Sequence, residues 1–241
     1  PHIAEAAPNA ETTAQVTLLL TAAQKPLVLI GGCNWTEAGK DALRSFAEAS
    51  DLPVLVAFRY QDQFDNFSPC YAGEAGVGMP PHVRKLICDA DMILAINIRF
   101  GEMTTDGYTL LDVYGSDREI GKIYQPTLGI HAGPNAFAAA LRPVKGKWAV
   151  WRSAARSAWE AGFDAPAQPS PVDMVLVTEH LRGILPDDAI LTNGAGNFTV
   201  WPNKFFKFGR KARLLAPQSG AMGYGFPAAV AAKVAYPDRT V

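Results

Sequence analysis

Lys25-Pro26-Leu27-Val28-Leu29-Ile30-Gly31-Gly32 is the stretch whose reading decides the fold class. Four consecutive aliphatic residues bounded by proline and a glycine pair have the unbroken apolar character of a strand buried on both faces of a parallel sheet. Just downstream, Thr36 is placed to cap a helix in which Ala38, Ala42, Phe46 and Ala49 recur at helical spacing. Pro53 then introduces Val54-Leu55-Val56-Ala57, a second buried strand. Strand, helix, strand in this order is a βαβ unit with a right-handed crossover.

Outward from that unit the same grammar continues. Residues 10–24, rich in Ala, Thr and Leu, read as a helix leading into the first strand. Residues 82–90 read as a helix, and Met92-Ile93-Leu94-Ala95-Ile96 as a third strand. Between them, residues 58–81 are polar, aromatic and full of turn formers, the signature of a long loop, which either serves a function or is a plain surface excursion. The segment through Tyr114-Gly115-Ser116 is irregular, and 134–142 and 147–162 look helical. Asp164-Ala165-Pro166-Ala167-Gln168-Pro169-Ser170-Pro171 is the clearest linker, because repeated proline blocks both helix and ladder. The expected division is therefore a first domain over 1–163, a linker over 164–171 and a second domain over 172–241.

The pattern restarts beyond the linker. Ser170 followed by Pro171 reads as an N-cap and first helical position, with Met174, Val177, Leu181, Ile184 and Leu185 forming one buried face. Ala189-Ile190-Leu191 reads as a strand entering a glycine-rich turn; a helix from about 200, a short strand over 213–216 and a helix from about 226 follow. Two successive α/β units whose strands enter glycine-rich turns imply a doubly wound parallel sheet followed by a second, partial α/β domain.

Bulk properties exclude several classes. The 241 residues carry a net charge of -1, 49% are hydrophobic and 19% charged, and no Lys/Arg run stands out, which argues against nucleic-acid binding and against an electrostatic membrane anchor. No apolar run approaches the ~20 residues that span a bilayer. The opening Pro1-His2-Ile3-Ala4-Glu5 lacks the pattern of a signal peptide, so a cytoplasmic globular protein is expected. Three scattered cysteines (Cys33, Cys70, Cys88) and four scattered histidines give neither a disulfide framework nor a metal-ligand spacing.

Two turns carry chemistry. Gly194-Ala195-Gly196-Asn197-Phe198 lies directly after a strand and before a helix, where exposed N–H groups make an anion site and glycine allows a phosphate to approach. Steric demand alone explains many such turns equally well. In Ser219-Gly220-Ala221-Met222-Gly223-Tyr224-Gly225-Phe226-Pro227-Ala228-Ala229, glycines bracket one bulky, flexible side chain. Taken by itself, Met222 there reads as a core methionine in a tight turn.

Together, the turns resemble the cofactor domain of thiamine-diphosphate enzymes of the acetolactate synthase kind. The run from Gly220 to Ala229, continued by Ala232-Lys233 and Pro237-Asp238-Arg239-Thr240-Val241, is similar to that family's sequence, and both turns occur in family order. Lys25 to Gly32 is similar to the opening strand of its central domain, and Ala90 to Phe100 to a later strand with a trailing Arg. The resemblance implies thiamine diphosphate and Mg2+ as cofactors, a 2-oxo acid substrate, decarboxylation or carboligation, and a homodimer or homotetramer with its active site at a subunit interface. It places Gly220, Ala221 and Met222 against the aminopyrimidine ring, Met222 wedging between the two rings. Gly196, Asn197 and Phe198 would lie against the diphosphate.

The sequence also departs from that pattern. The family's activating glutamate and its G-D-G…N metal motif are not among these residues, so the chain alone is expected to be inactive, with the Mg2+ ligands outside it. Between Asp112-Val113 and Tyr114-Gly115 the family has further residues including a strand, expected here to be lost. The loop Ala72-Gly73-Glu74-Ala75-Gly76-Val77-Gly78-Met79-Pro80-Pro81 and the turn Gly101-Glu102-Met103 differ from the family's flavin-binding stretches, so FAD is expected not to be bound. Two other readings stay open: a non-catalytic binding or assembly module, and an NAD-dependent oxidoreductase using Gly31-Gly32-Cys33-Asn34, which lacks the full G-x-G-x-x-G spacing.

Overall fold

The computed structural model describes residues 4–76, 78–98, 110–114, 120–121, 125–164 and 168–241. Contacts divide the chain into two compact units: Pro1–Phe58 with Ser68–Trp159, and Arg59–Phe67 with Glu160–Val241.

The first unit is built on six parallel strands: β1 (Pro26–Ile30), β2 (Val54–Ala57), β3 (Tyr71–Ala75), β4 (Met92–Ile96), β5 (Leu110–Tyr114) and β6 (Leu128–His131). Their spatial order is β3-β2-β1-β4-β5-β6, the order of a doubly wound sheet. Every residue of β1, β2 and β4 is buried, the physical counterpart of their unbroken aliphatic runs. Reversal of direction after β3 places right-handed crossovers on opposite faces. Helices α1 (Ala10–Ala22), α2 (Glu37–Ala49), α3 (Pro81–Asp89), α4 (Pro134–Ala140) and α5 (Ala149–Ala161) supply the layers. The expected Thr36 cap is present, its hydroxyl oxygen accepting the Gly39 N–H at 3.0 Å.

Strands β3 and β5 escape a reading by hydrophobic run, as does the short β6. Tyr-Ala-Gly-Glu-Ala in β3 contains a glycine and an acid, yet it pairs with β2, and its Gly73 adopts φ +118° with the Trp159 ring against it. β5 runs across the point where a strand was expected to be lost and pairs with both β4 and β6, so the described sheet contains a strand there. Parallel pairing on both sides supplies what local propensity does not. Residues 99–103, read as a trailing Arg and a departure from flavin binding, lie outside the described residues.

The second unit pairs β7 (Ile190–Thr192) with β8 (Arg213–Leu215) in parallel, with helices α6 (Met174–Ile184), α7 (Val200–Phe205) and α8 (Gly225–Ala235). Its core gathers Phe206, Phe208, Ala212, Leu214 and Ala216, with Leu185 and Leu191 packed against them. Arg59–Phe67 belongs here by its contacts. Buried Asn66 explains how: its backbone N–H donates to Phe208 O and its side-chain oxygen accepts the Phe208 N–H, both at 2.9 Å. Its Nδ2 meanwhile donates to Gln61 O and Phe64 O.

Helix α6 differs from its sequence reading in two respects. Asp173, not Ser170, caps it, the carboxylate accepting the N–H groups of Val175 and Leu176. A carboxylate directly before the first helical residue outcompetes the Ser-Pro start, because it satisfies two orphan donors at once. The buried stripe runs through Val175 and Thr178, whereas Val177, Leu181 and Ile184 are exposed. With apolar residues on more than one face, the helix buries only one of them, and its packing partner is α7.

Candidate functional site

Parallel pairing brings the two glycine-rich turns of the second unit to one edge. Because β7 and β8 run the same way, the turns that leave them both start at the carboxyl end of the sheet, the edge where open α/β sheets bind ligands. The Asn193 N–H donates to Leu215 O at 3.0 Å and holds the two strand ends together. α8 then begins directly over the first turn. A Cβ on Gly225 would lie 3.0 Å from the Asn193 carbonyl carbon and 3.1 Å from the Gly194 nitrogen. Both neighbours are backbone, so a side chain at 225 would push the two turns apart by a few tenths of an ångström, and glycine lets them meet at this distance.

The first turn closes on itself through Gly196, whose carbonyl accepts the Thr199 N–H at 3.0 Å and hydroxyl at 2.8 Å. Asn197–Thr199 form a single 3-10 turn leading into α7, which leaves the N–H groups at its start without helical carbonyl partners. Asn197 and Phe198 are exposed, and the Phe198 ring stands beside Gly194 and Gly196. In the second turn Gly220 and Gly223 adopt left-handed φ of +70° and +83°, with open space where a Cβ would be. Backbone conformation, not crowding, calls for glycine at both. Between them Ala221 and Met222 project outward, Met222 88% exposed. The core-methionine reading fails here: the turn lifts the side chain off the unit.

One residue outside the expected set stands out. Asn193 is buried, yet neither its Oδ1 nor its Nδ2 has a hydrogen-bond partner. An unmade hydrogen bond at a buried amide costs about 1–3 kcal/mol per group, so such a side chain calls for a guest or a water. Its sequence signal was its position, a polar residue at the strand end immediately before the first glycine. Among the described residues no group of three or more His, Cys, Asp or Glu could hold a metal ion.

The first unit has its own strand-end crevice, between β1 and β4 where the strand order reverses. Gly32 takes φ +67° there, and a Cβ on it would run into the backbone carbonyl of Asn97. The Asn97 carboxamide donates to Cys33 O at 2.8 Å, and Trp35 Nε1 to Gly31 O at 2.9 Å. This turn is occupied by the chain's own side chains.

Two family models match this chain. The family model described as "Thiamine pyrophosphate enzyme, central domain" matches residues 13–141, more than half of the chain. The chain belongs to the thiamine pyrophosphate enzymes. A second model, "Thiamine pyrophosphate enzyme, C-terminal TPP binding domain", matches 194–241, the span that holds both glycine-rich turns of the second unit. Among this chain's curated relatives is the acetolactate synthase large subunit of Parasynechococcus marenigrum, 25% identical over 92% of this chain and 38% of its own length. Acetolactate synthase 1 of Oryza sativa subsp. japonica is 26% identical over 97% of this chain and 39% of its own. Sulfoacetaldehyde acetyltransferase of Rhodobacter capsulatus is 26% identical over 98% of this chain and 46% of its own. The chain thus spans less than half the length of these relatives. No helix among the described residues is long and apolar enough to cross a membrane.

Proposed function

We propose that this chain supplies the central domain and the first part of the cofactor domain of a thiamine-diphosphate- and Mg2+-dependent enzyme. Its substrates would be 2-oxo acids, with acetolactate synthase-like carboligation or decarboxylation as the outcome. The observation that carries this reading is the meeting of the two turns at Gly225, which sets an outward Met222 and an orphaned Asn193 on one strand-end edge. These residues fit the cofactor: an open, glycine-lined edge for an anionic group, and an exposed thioether for aromatic rings.

In this assignment the 194–198 turn takes the diphosphate with its N–H groups. The backbones of Gly220, Ala221 and Met222 take the aminopyrimidine, and the Met222 side chain holds the bend between the rings. When bound, thiamine diphosphate supplies the electron sink for breaking the bond beside the 2-oxo acid's carbonyl. The chain's own part is to position it. Since the chain covers 38% to 46% of these relatives' lengths, activity is assigned to the complete protein, a homodimer or homotetramer, and the 241 residues alone are assigned none. FAD is assigned no place in the central unit, consistent with Asn97 filling the crevice after β1.

One preparation of the complete protein tests these statements. Calorimetric titration with thiamine diphosphate and Mg2+ is expected to show saturable binding that Met222→Ala weakens about 10- to 100-fold, with melting unchanged because Met222 is exposed. Equal affinity in wild type and variant would remove Met222 from the site, and a flavin absorption band in the same sample would remove the FAD assignment.

A further inference from the structure

The short helix α7 carries a second buried carboxamide with its hydrogen bonds unmade. Asn203 is 8% exposed, as is Asn193, and neither its Oδ1 nor its Nδ2 has a partner among the described residues. Native interiors leave few such groups. Here two side chains leave four, and they stand at the two ends of one turn. Asn193 lies directly before Gly194, and Asn203 lies one helical turn after Thr199.

Local geometry aims Asn203 at that turn. The backbone is helical from Thr199 onward, with φ -67° and ψ -18° at Thr199 and φ -58° and ψ -37° at Val200. Residues four apart on a helix stack on one face, and their Cα–Cβ bonds tilt toward its N-terminus. Asn203 therefore lies beneath Thr199, both of them buried, and its carboxamide leans back toward the 194–199 turn. Thr199 holds that turn closed, its hydroxyl donating to Gly196 O at 2.8 Å. At the other end the Asn193 N–H donates to Leu215 O, and Gly225 lies against the Asn193 carbonyl. Asn197 and Phe198 are exposed, so the turn has an open outer side and an inner side flanked by two carboxamides that do not bond each other. Each carboxamide offers both donors and an acceptor. A small guest that donates and accepts at once suits the pair, and water is that guest.

We propose that Asn203 is a positioning residue for the diphosphate: with Asn193 it holds a water, brought in with the bound anion, that braces the 194–199 turn from its inner side. This role rests on the cofactor reading above. A bridging water is enthalpically nearly as good as a direct hydrogen bond, so the brace fixes the N–H groups that face the diphosphate. Both carboxamides are unmade in the empty chain, so the brace adds to anion affinity and not to the stability of the empty protein.

The test is calorimetric titration of the complete protein with thiamine diphosphate and, separately, with inorganic pyrophosphate, both with Mg2+. Asn203→Leu is expected to weaken both probes by the same factor, about tenfold, while the empty protein melts no lower than wild type. Asn203→Ser, which keeps a hydroxyl and leaves room for a second water, is expected to recover affinity to within about threefold of wild type. Because one water serves both carboxamides, N193L/N203L should lose no more than either single variant. Should N203L fail to fold, Asn203→Ala set against N203S makes the same comparison. Wild-type affinity in N203L, a loss for thiamine diphosphate without one for pyrophosphate, or a lower melt of the empty variant would each overturn the role. A product of the two single losses in the double variant, about a hundredfold, would overturn the shared water. If wild type itself takes up no thiamine diphosphate, the cofactor reading falls and the brace with it; if wild type binds and N203L matches it, the brace alone falls.

Discussion

The glycine-rich turns after β1 and after β7 meet opposite fates. After β1, Gly32 bends into the left-handed region and the neighbouring strand end delivers Asn97 on top of it, so the turn's polar groups are met within the unit. After β7, the turn at 194–198 receives only the glycine start of α8, leaving Asn193 unpartnered and Met222 outside. A buried strand and a glycine make a platform in both places. Whether the platform keeps room for a guest depends on what the adjacent element sends into it, a property of topology rather than of the turn's own sequence.

The comparison breaks most severely if Gly225 tolerates a side chain. Gly225→Val drives a branched Cβ into backbone 3.0–3.2 Å away, and the two turns must part to admit it. The expected result is loss of thiamine diphosphate binding by about 100-fold or more, with about 1–3 kcal/mol of destabilisation from overpacking. Gly32→Ala is the counterpart in the first unit: strained by its φ and by the Asn97 carbonyl, it should lower melting while leaving cofactor affinity of the folded protein intact. Calorimetry and thermal melts on the two variants read both effects. Comparable losses of affinity in both would mean that the two turns are not different in kind.

A subtler break lies at Asn193. Its orphaned carboxamide weakens the empty unit, so Asn193→Leu, close in volume and without polar atoms, should melt no lower than wild type and up to about 1 kcal/mol higher. Cofactor affinity should move the other way and fall about tenfold. If both fall together, Asn193 is a structural residue satisfied by water, and the open edge owes nothing to it.

What was legible in the sequence divides along the same line. The aliphatic strands β1, β2 and β4 announced themselves because burial on both faces demands uninterrupted apolar residues. β3 and β5 did not, since neither reads as an aliphatic run bounded by turn formers; long-range parallel pairing holds them in the sheet. The excursion Arg59–Phe67 was equally silent, because polar Asn66 anchors it through hydrogen bonds to a residue over a hundred positions away. At the candidate site, the glycines and Met222 were visible as a pattern, yet their meeting was not: nothing local says that Gly225 lands on Asn193. Nor does spacing reveal which way α6 turns. Val175 and Thr178 are buried in preference to the more apolar-looking stripe, in a helix that packs against α7.

The smallest expected effect concerns how the helices of the two units are started. α2 is capped by the Thr36 hydroxyl, which does not titrate in the acid range, whereas α6 is capped by the Asp173 carboxylate. Hydrogen bonds from the N–H of Gln168 first, and then of Leu176 and Val175, hold the Asp173 carboxyl below its usual range. A depressed carboxylate contributes stability that is fully present above the unfolded value, about 3.9, and is lost as pH falls through the folded one. The α6 cap should therefore loosen in acid while the α2 cap does not. In Asp173→Asn the amide oxygen still caps but carries no charge to titrate. Thermal melts of wild type and D173N across the acid range are expected to show wild type ahead near neutral pH, the gap closing as pH falls below the usual carboxylate range. A constant gap would mean that the carboxylate's charge adds nothing to its geometry, and that the two helix starts are physically alike.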